Sequence, residues 1–159
     1  MGDSGDQPVY YVISDLHIGG DEQLEEVPFL EELLDFLEQL ETVDGDVELL
    51  INGDAFGLWE LTEMEGLEKF THLEATYPRL FDQLRATGEQ IRITLVPGND
   101  DHELAAYEAY VERFAAYNVD LVQSVAVTRE AGAHEIHVEH GSQEDPNNQI
   151  DDWGNPHAT

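Results

Sequence analysis

With 159 residues, 41% of them hydrophobic, the chain is long enough to bury one compact core and too apolar to be wholly disordered. It contains no cysteine, which excludes disulfides, thiolate metal sites and a cysteine nucleophile. Six Lys and Arg residues against 36 Asp and Glu residues give a net charge of −30, which disfavours contacts with nucleic acid backbones and anionic membranes.

Three interpretations of this charge compete: adaptation to a salty cytoplasm, mimicry of a nucleic acid, and cation binding. The acids occur in almost every segment and Lys69 is the only lysine, a pattern that favours adaptation to salt. At 1 M salt the Debye length is about 3 Å, so self-repulsion is screened. No apolar stretch is long enough to span a membrane and no secretory signal is recognisable, which predicts a cytoplasmic protein.

The first third of the chain predicts a strand, a helix and a second strand. Residues 1–8 are expected to form a flexible acidic leader before a buried strand at 9–13. Residues 28–40 have apolar side chains at helical spacing, with a proline in the expected first turn. A turn at 44–46 separates this helix from a strand at 47–51.

The middle third predicts further helices around a third strand. Residues 58–85 read as a helix that is interrupted near Pro78. Residues 91–96 are predicted to form a strand, and 102–117 have apolar side chains at the spacing of another helix.

The last third predicts two strands, at 119–127 and 135–139, and then a polar, loop-rich tail over 141–159. Strands that alternate with helices favour an α/β fold with a largely parallel sheet. Without a repeat or a linker, we expect 1–159 to form a single domain.

Four predicted strands are each followed by a short segment rich in Asp, Asn or His. These segments are SDLH from position 14, NGD from 52, PGNDDH from 97 and HG from 140. Because the carboxyl ends of parallel strands lie together, we expect these side chains to share one crevice. Oxygen and nitrogen ligands without sulfur suit Mn²⁺, Fe²⁺, Zn²⁺ or Mg²⁺. Bound cations would also let an anionic phosphate ester approach this acidic protein.

In order along the chain, ISDLHIGG, INGDAFGLW, LVPGNDDHE and VEHGSQEDPNN resemble the metal-binding motifs of calcineurin-like phosphoesterases. Their spacing is most similar to the branch that includes the UDP-diacylglucosamine pyrophosphatases. The resemblance runs from about Tyr11 to Thr159 and implies a four-layer αββα sandwich.

The resemblance also implies roles for individual residues. Asp15 and His17 would bind the first metal, Asp54 would bridge, and Asn99 and His140 would bind the second. A hydroxide between two divalent ions, Mn foremost, would attack a small phosphorylated substrate. The implied activity is hydrolysis of phosphomonoester, phosphodiester or pyrophosphate bonds.

The sequence departs from the family pattern at several positions. Asp100 stands where the family has a histidine that contacts the phosphate, so Asp100 and the nearby His102 are the candidate catalytic residues. Gly57 replaces a common aspartate behind the metal ligands. A late Gly-x-His-x-His motif is absent, and we expect the family domain to lack its last strands. His157 in the polar tail is a weak candidate replacement.

Two other functions remain open at this stage: a catalytically impaired homologue that binds metal or phosphate, and an acidic interaction protein without enzymatic activity. In structural terms, Asp15 and His17 could belong to an ordinary turn, Asp54 could cap a helix, and His140 could bond a backbone carbonyl. Residues 99–101 could form a capped turn.

The two tryptophans, Trp59 and Trp153, are interpreted as core or loop anchors.

Overall fold

The computed structural model describes residues 7–20 and 27–155. The strands are β1 (Val9–Ile13), β2 (Val47–Asn52), β3 (Arg92–Val96), β4 (Val119–Leu121), β5 (Ala126–Ala131) and β6 (His134–Glu139). The helices are α1 (Leu30–Leu40), α2 (Leu67–Thr76), α3 (Pro78–Gly88) and α4 (Ala109–Ala115), with 3-10 turns at Leu58–Glu60, His102–Ala105 and Ser142–Glu144.

Strands β1 to β4 form one parallel sheet in the order of the chain. Its register aligns the strand ends, because Ile13 pairs with Ile51, Ile51 with Leu95, and Leu95 with Leu121. The residues that follow these strands therefore emerge along one edge, as a parallel α/β sheet requires. The α/β fold class predicted from the sequence is confirmed.

Helices α1 to α4 cover one face of this sheet. The apolar stripe of α1 buries Leu33, Leu34, Leu37 and Leu40, and packs beside α3. Each buried leucine stabilises the fold by about 1.5–3 kcal/mol relative to an exposed one. The predicted helix at 28–40 is confirmed from Leu30 onward.

The hairpin of β5 and β6 covers the opposite face of the sheet. A small apolar cluster joins the two layers through Leu50, Val96, Val127 and Val138. The hairpin therefore makes the structure a sandwich of helices, parallel sheet and second sheet.

A buried ion pair also fastens the hairpin. Arg129 in β5 donates to Glu48 in β2 from Nε at 2.7 Å and from Nη2 at 2.9 Å, and the Thr94 hydroxyl adds a third bond to Glu48. Burial raises the pKa of Glu48, but these hydrogen bonds hold it below its ordinary value. Removing one partner would leave a buried charge, so this pair specifies how the two sheets dock.

The prediction of one strand at 119–127 is wrong, since the residues belong to two strands in different sheets. Between them the Gln123 side chain donates to the carbonyls of Leu104 and Tyr107, both at 2.8 Å. The Ser124 hydroxyl bonds the carbonyl of Ala126. These polar side chains bend the chain from the parallel sheet into the hairpin.

The predicted helices at 58–85 and 102–117 are each divided. The first becomes a 3-10 turn, α2 and α3, and α3 begins at Pro78 as its proline predicts. The second becomes a 3-10 turn and α4, and the Leu104 carbonyl near the division accepts a bond from the Gln123 side chain.

The polar tail from 141 to 155 carries one 3-10 turn and is otherwise loop, as predicted. Most of the predicted leader and His157 lie outside the described residues. Within 7–20 and 27–155, no helix is both long and apolar enough to cross a bilayer.

Candidate metal centre

The ends of β1, β2, β3 and β6 bring carboxylates and imidazoles to one place. Asp15, Asp54 and His140 form one group of possible metal ligands, and His17, Asp54 and Asp100 form another. Within each group the ligand atoms lie within 4.8 Å of one another. Asp54 belongs to both groups, so the two groups share its carboxylate.

The distances show how closely these groups approach. His140 Nε2 lies 3.1 Å from Asp54 Oδ2 and 4.0 Å from Asp15 Oδ1. His17 Nε2 lies 3.6 Å from Asp15 Oδ1 and 3.9 Å from Asp54 Oδ2. Both imidazoles therefore direct Nε2 toward the same pair of carboxylates.

Each imidazole is oriented by a partner at its other nitrogen. His140 Nδ1 lies 3.0 Å from the Asn52 carbonyl oxygen, which can only accept, so Nδ1 donates. His17 Nδ1 lies 3.1 Å from Asp100 Oδ2, which is ion-pair distance when the imidazole is protonated. Such bonds fix the tautomer and the ring plane of metal-binding histidines.

The backbone at the ligands is held in a left-handed conformation that non-glycine residues rarely adopt. The φ angles are 58° at Asp15, 49° at His17 and 54° at Asp54. Backbone bonds between the two loops hold this geometry: Asp15 N–H donates to the Gly53 carbonyl and His17 N–H to the Asp54 carbonyl. Strained backbone of this kind concentrates at functional sites.

Glycine is required at two close approaches around Asp54. A Cβ at Gly98 would overlap the Asp54 carboxylate, and a Cβ at Gly53 would overlap the His140 ring. Glycine, which has no Cβ, therefore allows the close approach at both positions.

Asp101 is the functional residue that sequence reasoning did not identify. Its carboxylate has no exposure and accepts four backbone N–H bonds, from Gly98 at 2.7 Å, Ala55 at 2.8 Å, Asp54 at 3.2 Å and Phe56 at 3.3 Å. Burial raises the pKa of Asp101 to about 6, so it is ionised at neutral pH. The bonds join the loop after β3 to the loop that carries Asp54. The sequence did offer one indication of this role, because Asp101 directly follows Asn99 and Asp100 in a segment that was already predicted to reach the site.

Asn99 lines the same cleft as Asp15, Asp54 and His140. Its amide Nδ2 donates to Asp100 Oδ1 at 3.2 Å. Asp100 contacts the centre through its backbone as well as its carboxylate, since its N–H donates to Asp54 Oδ1 at 2.9 Å.

His102 does not belong to this cluster. Its buried ring accepts a bond from Gly154 N–H at Nε2 and packs edge-on against Trp153, 4.9 Å between centroids. Burial lowers the pKa of His102. The structure therefore places the candidate catalytic residue His102 outside the ligand groups, where its ring connects the polar tail to the rest of the fold.

Gly57 also has a steric explanation. A Cβ there would overlap the Gly20 backbone, so the two loops meet too closely for the aspartate common at this position.

The donor set fits divalent cations. Asp15, Asp54 and Asp100 converge on two imidazoles, and no Lys or Arg lines the cleft among the described residues. Burial raises the pKa of Asp54, but the hydrogen bonds from His140 and the Asp100 N–H, together with the charges of His140 and His17, hold that pKa below its usual value. Burial and the nearby Asp54 charge raise the pKa of Asp100. A cation would offset this concentration of negative charge.

Replacing Asp101 tests its role at the centre. Asp101→Ala leaves four buried N–H groups without an acceptor, which we expect to lower the free energy of unfolding by about 3 kcal/mol or more. Asp101→Asn keeps one oxygen acceptor but turns an NH₂ group toward backbone donors. Its free energy of unfolding should therefore lie between those of Asp101→Ala and wild type. Urea unfolding and Mn²⁺ calorimetry measure both effects. The exposed Asp44→Asn is the matched control, and wild-type values for Asp101→Ala would contradict the role.

The pH dependence of the metal-free protein tests the His140–Asp54 pair. The hydrogen bond to Asp54 raises the pKa of His140 from 6.5 to about 9. The pair therefore contributes stability that is full below pH 6.5 and is lost as the pH rises through about 9. His140→Gln should flatten this part of the unfolding profile, whereas the exposed His137→Gln should not.

Mn²⁺ binding at pH 7.5 should release a proton from His140 in the wild-type protein. Calorimetry in two buffers with different heats of ionisation detects this release, and equal apparent heats in both buffers would refute it.

The family model described as calcineurin-like phosphoesterase, Metallophos, matches residues 9–156. No curated protein and no solved structure matches the chain. The matched residues include the whole parallel sheet, the hairpin and every side chain of the candidate centre. The family implies metal-dependent phosphoester hydrolysis at a site for divalent ions. The chain belongs to the calcineurin-like phosphoesterase family.

Proposed function

We propose that the chain is a two-metal hydrolase of small phosphorylated substrates. The observation that carries this proposal is the pair of ligand groups that share Asp54. Asp15, His17, Asp54 and His140 would hold the ions, with Asn99 on the rim of the same cleft. Ions bound there would neutralise phosphate oxygens and lower the pKa of a water toward about 7. Mn²⁺ is our first choice of ion, and Fe²⁺, Zn²⁺ and Mg²⁺ are alternatives.

The positions of the basic residues make substrate binding depend on these ions. Lys69 is buried and donates to Glu103 and the Leu58 carbonyl, and Arg129 pairs with Glu48. No Lys or Arg lines either of the two described clefts at this edge of the sheet. We infer that the protein cannot hold a phosphate group without bound cations, and that chelation abolishes binding as well as turnover.

Asp100 changes what the site can do for a leaving group. It stands where the family has a phosphate-contacting histidine, and its carboxylate instead pairs with His17 Nδ1. We propose that Asp100 is a positioning residue for His17. An ester whose leaving group needs little protonation, such as an aryl phosphodiester or a pyrophosphate, therefore suits this site best.

The exchange at Asp100 also favours a second candidate, a homologue that binds metal and phosphate without turnover. Stoichiometric Mn²⁺ together with no hydrolysis on a broad phosphoester panel would support that function.

A hydrolysis assay tests the main proposal. With added Mn²⁺ the purified protein should hydrolyse bis-p-nitrophenyl phosphate, and Asp54→Asn should lower the rate on the order of 100-fold or more because both ions lose a shared ligand. The exposed Asp44→Asn is the charge-matched control. Undiminished hydrolysis in excess chelator would refute the two-metal mechanism.

Absence of bound metal, combined with a salt-sensitive complex with a basic protein, would instead support a non-enzymatic acidic interaction protein.

We propose that the net charge of −30 is an adaptation to high salt. Five of the six basic residues already pair with acids, in contacts such as Lys69–Glu103, Arg79–Glu31 and Arg129–Glu48. Most carboxylates therefore lack a cationic partner and repel one another, and screening by salt should relieve this repulsion.

The urea concentration at the midpoint of unfolding should accordingly rise as KCl increases from about 0.1 to 2 M. The rise should continue above physiological salt concentrations, because the repulsion between carboxylates is screened further as salt is added. A variant that neutralises exposed acids of α1, Glu32→Gln/Asp35→Asn/Glu38→Gln, should need less salt for the same midpoint. A midpoint that falls or stays constant with KCl would contradict the adaptation.

A further inference from the structure

Trp59 is the most exposed large apolar side chain that the structure describes, with 64% of its surface accessible. Its indole was expected to anchor the core or a loop, and the structure contradicts that expectation. An indole left in water forgoes the burial of a large apolar surface. A tryptophan so exposed beside a functional cleft is the kind of side chain that contributes most to binding.

The backbone beneath Trp59 is fixed to the metal centre. Trp59 N–H donates to the Asp100 carbonyl at 3.0 Å, and Asp100 N–H donates to Asp54 Oδ1 at 2.9 Å. Two hydrogen bonds therefore connect the indole-bearing residue to the carboxylate shared by both ligand groups. These bonds hold the backbone of Trp59 beside the loop that follows β3.

Two clefts adjoin at this point. The cleft of the metal ligands has a volume of about 430 Å³, and the cleft beside it, lined by Trp59, has about 270 Å³. They share the lining residues Asn99, Asp100 and Asn148, so the two clefts are continuous at these residues. Both volumes are close to those of small-molecule sites.

The lining of the Trp59 cleft selects its occupant. Besides Trp59 it is lined by Ile150 and by the amide residues Asn147, Asn148 and Gln149. The NH₂ groups of Asn148 and Gln149 donate to Asp145 and Asp151, and each carboxamide also carries an oxygen that can accept a hydrogen bond. No basic residue lines it, and Asp100 disfavours an anionic occupant. A flat, uncharged ring with polar edges has the matching chemistry, because it stacks on the indole and bonds the amides.

We propose that Trp59 is the stacking platform for the base of a nucleoside phosphate, a subsite that selects nucleotides over other phosphate esters. This inference rests on the proposed phosphoesterase function, which supplies the phosphate site. A polymeric nucleic acid is disfavoured by the charge of −30, so the ligand is a small nucleotide. Stacking of one base on an aromatic side chain corresponds to an affinity gain on the order of 10- to 100-fold.

Calorimetry of the Mn²⁺-loaded protein with AMP and with ribose 5-phosphate tests the proposal, since the two ligands share the phosphate and differ in the base. Wild type should bind AMP about 10- to 100-fold more tightly than ribose 5-phosphate. Trp59→Ala should reduce AMP affinity to that of ribose 5-phosphate and leave the latter unchanged. Trp59→Phe should restore part of the difference.

The matched control is Ile136→Ala, which removes an exposed apolar side chain from β6 and should leave both affinities at wild-type values. Urea unfolding of Trp59→Ala should also match wild type, because little of its side chain is buried. Equal binding of both ligands by wild type, or an unaltered AMP preference in Trp59→Ala, would overturn the Trp59 subsite while leaving the phosphate site intact. Binding of neither ligand in the presence of Mn²⁺ would overturn the phosphate site and, with it, this inference.

Discussion

The buried carboxylate of Asp101 is the contact on which the geometry of the centre depends. It collects four backbone amides from two loops that follow neighbouring parallel strands. Without an acceptor those amides would be buried and unsatisfied, so the loops could not keep their present course. The left-handed backbone of Asp54, the close approach of Gly98 and the bond from Asp100 to Asp54 all follow from this join.

The distribution of charge determines which ligands can enter the clefts. Carboxylates dominate the clefts, while the basic residues are engaged elsewhere in the fold. An acidic protein of this kind repels anionic ligands in general and admits them only where fixed cations reverse the local sign. The proposed function therefore assigns phosphate recognition to the ions, and leaves discrimination between substrates to the neighbouring surface. Trp59 and the carboxamides of the tail supply that surface.

The exchange of histidine for Asp100 is a structural substitution as well as a chemical one. Its carboxylate lies 3.1 Å from His17 Nδ1, its backbone N–H donates to Asp54, and its carbonyl accepts a bond from the Trp59 N–H. One residue thus connects the proposed metal centre to the proposed nucleotide subsite. His102, two positions along, fastens the tail against Trp153 and takes no part in this connection.

The parallel sheet and the set of candidate ligands could be predicted from local sequence patterns. Apolar runs such as 9–13 and 91–96 end in polar residues, and parallel strands must present those ends at one edge. The apolar face of α1 and the helix boundary at Pro78 could also be predicted, because hydrophobic periodicity and the geometry of proline depend on only a few neighbouring residues.

Contacts between residues far apart in the chain could not be predicted in this way and are visible only in the folded structure. The division of 119–127 between two sheets depends on Gln123 reaching the carbonyls of Leu104 and Tyr107. The role of Asp101 depends on amides some 45 positions away, and the exposure of Trp59 depends on the loop packing around it. Local pattern carries no information about such partners, because they meet only when the strands have paired and the loops have closed.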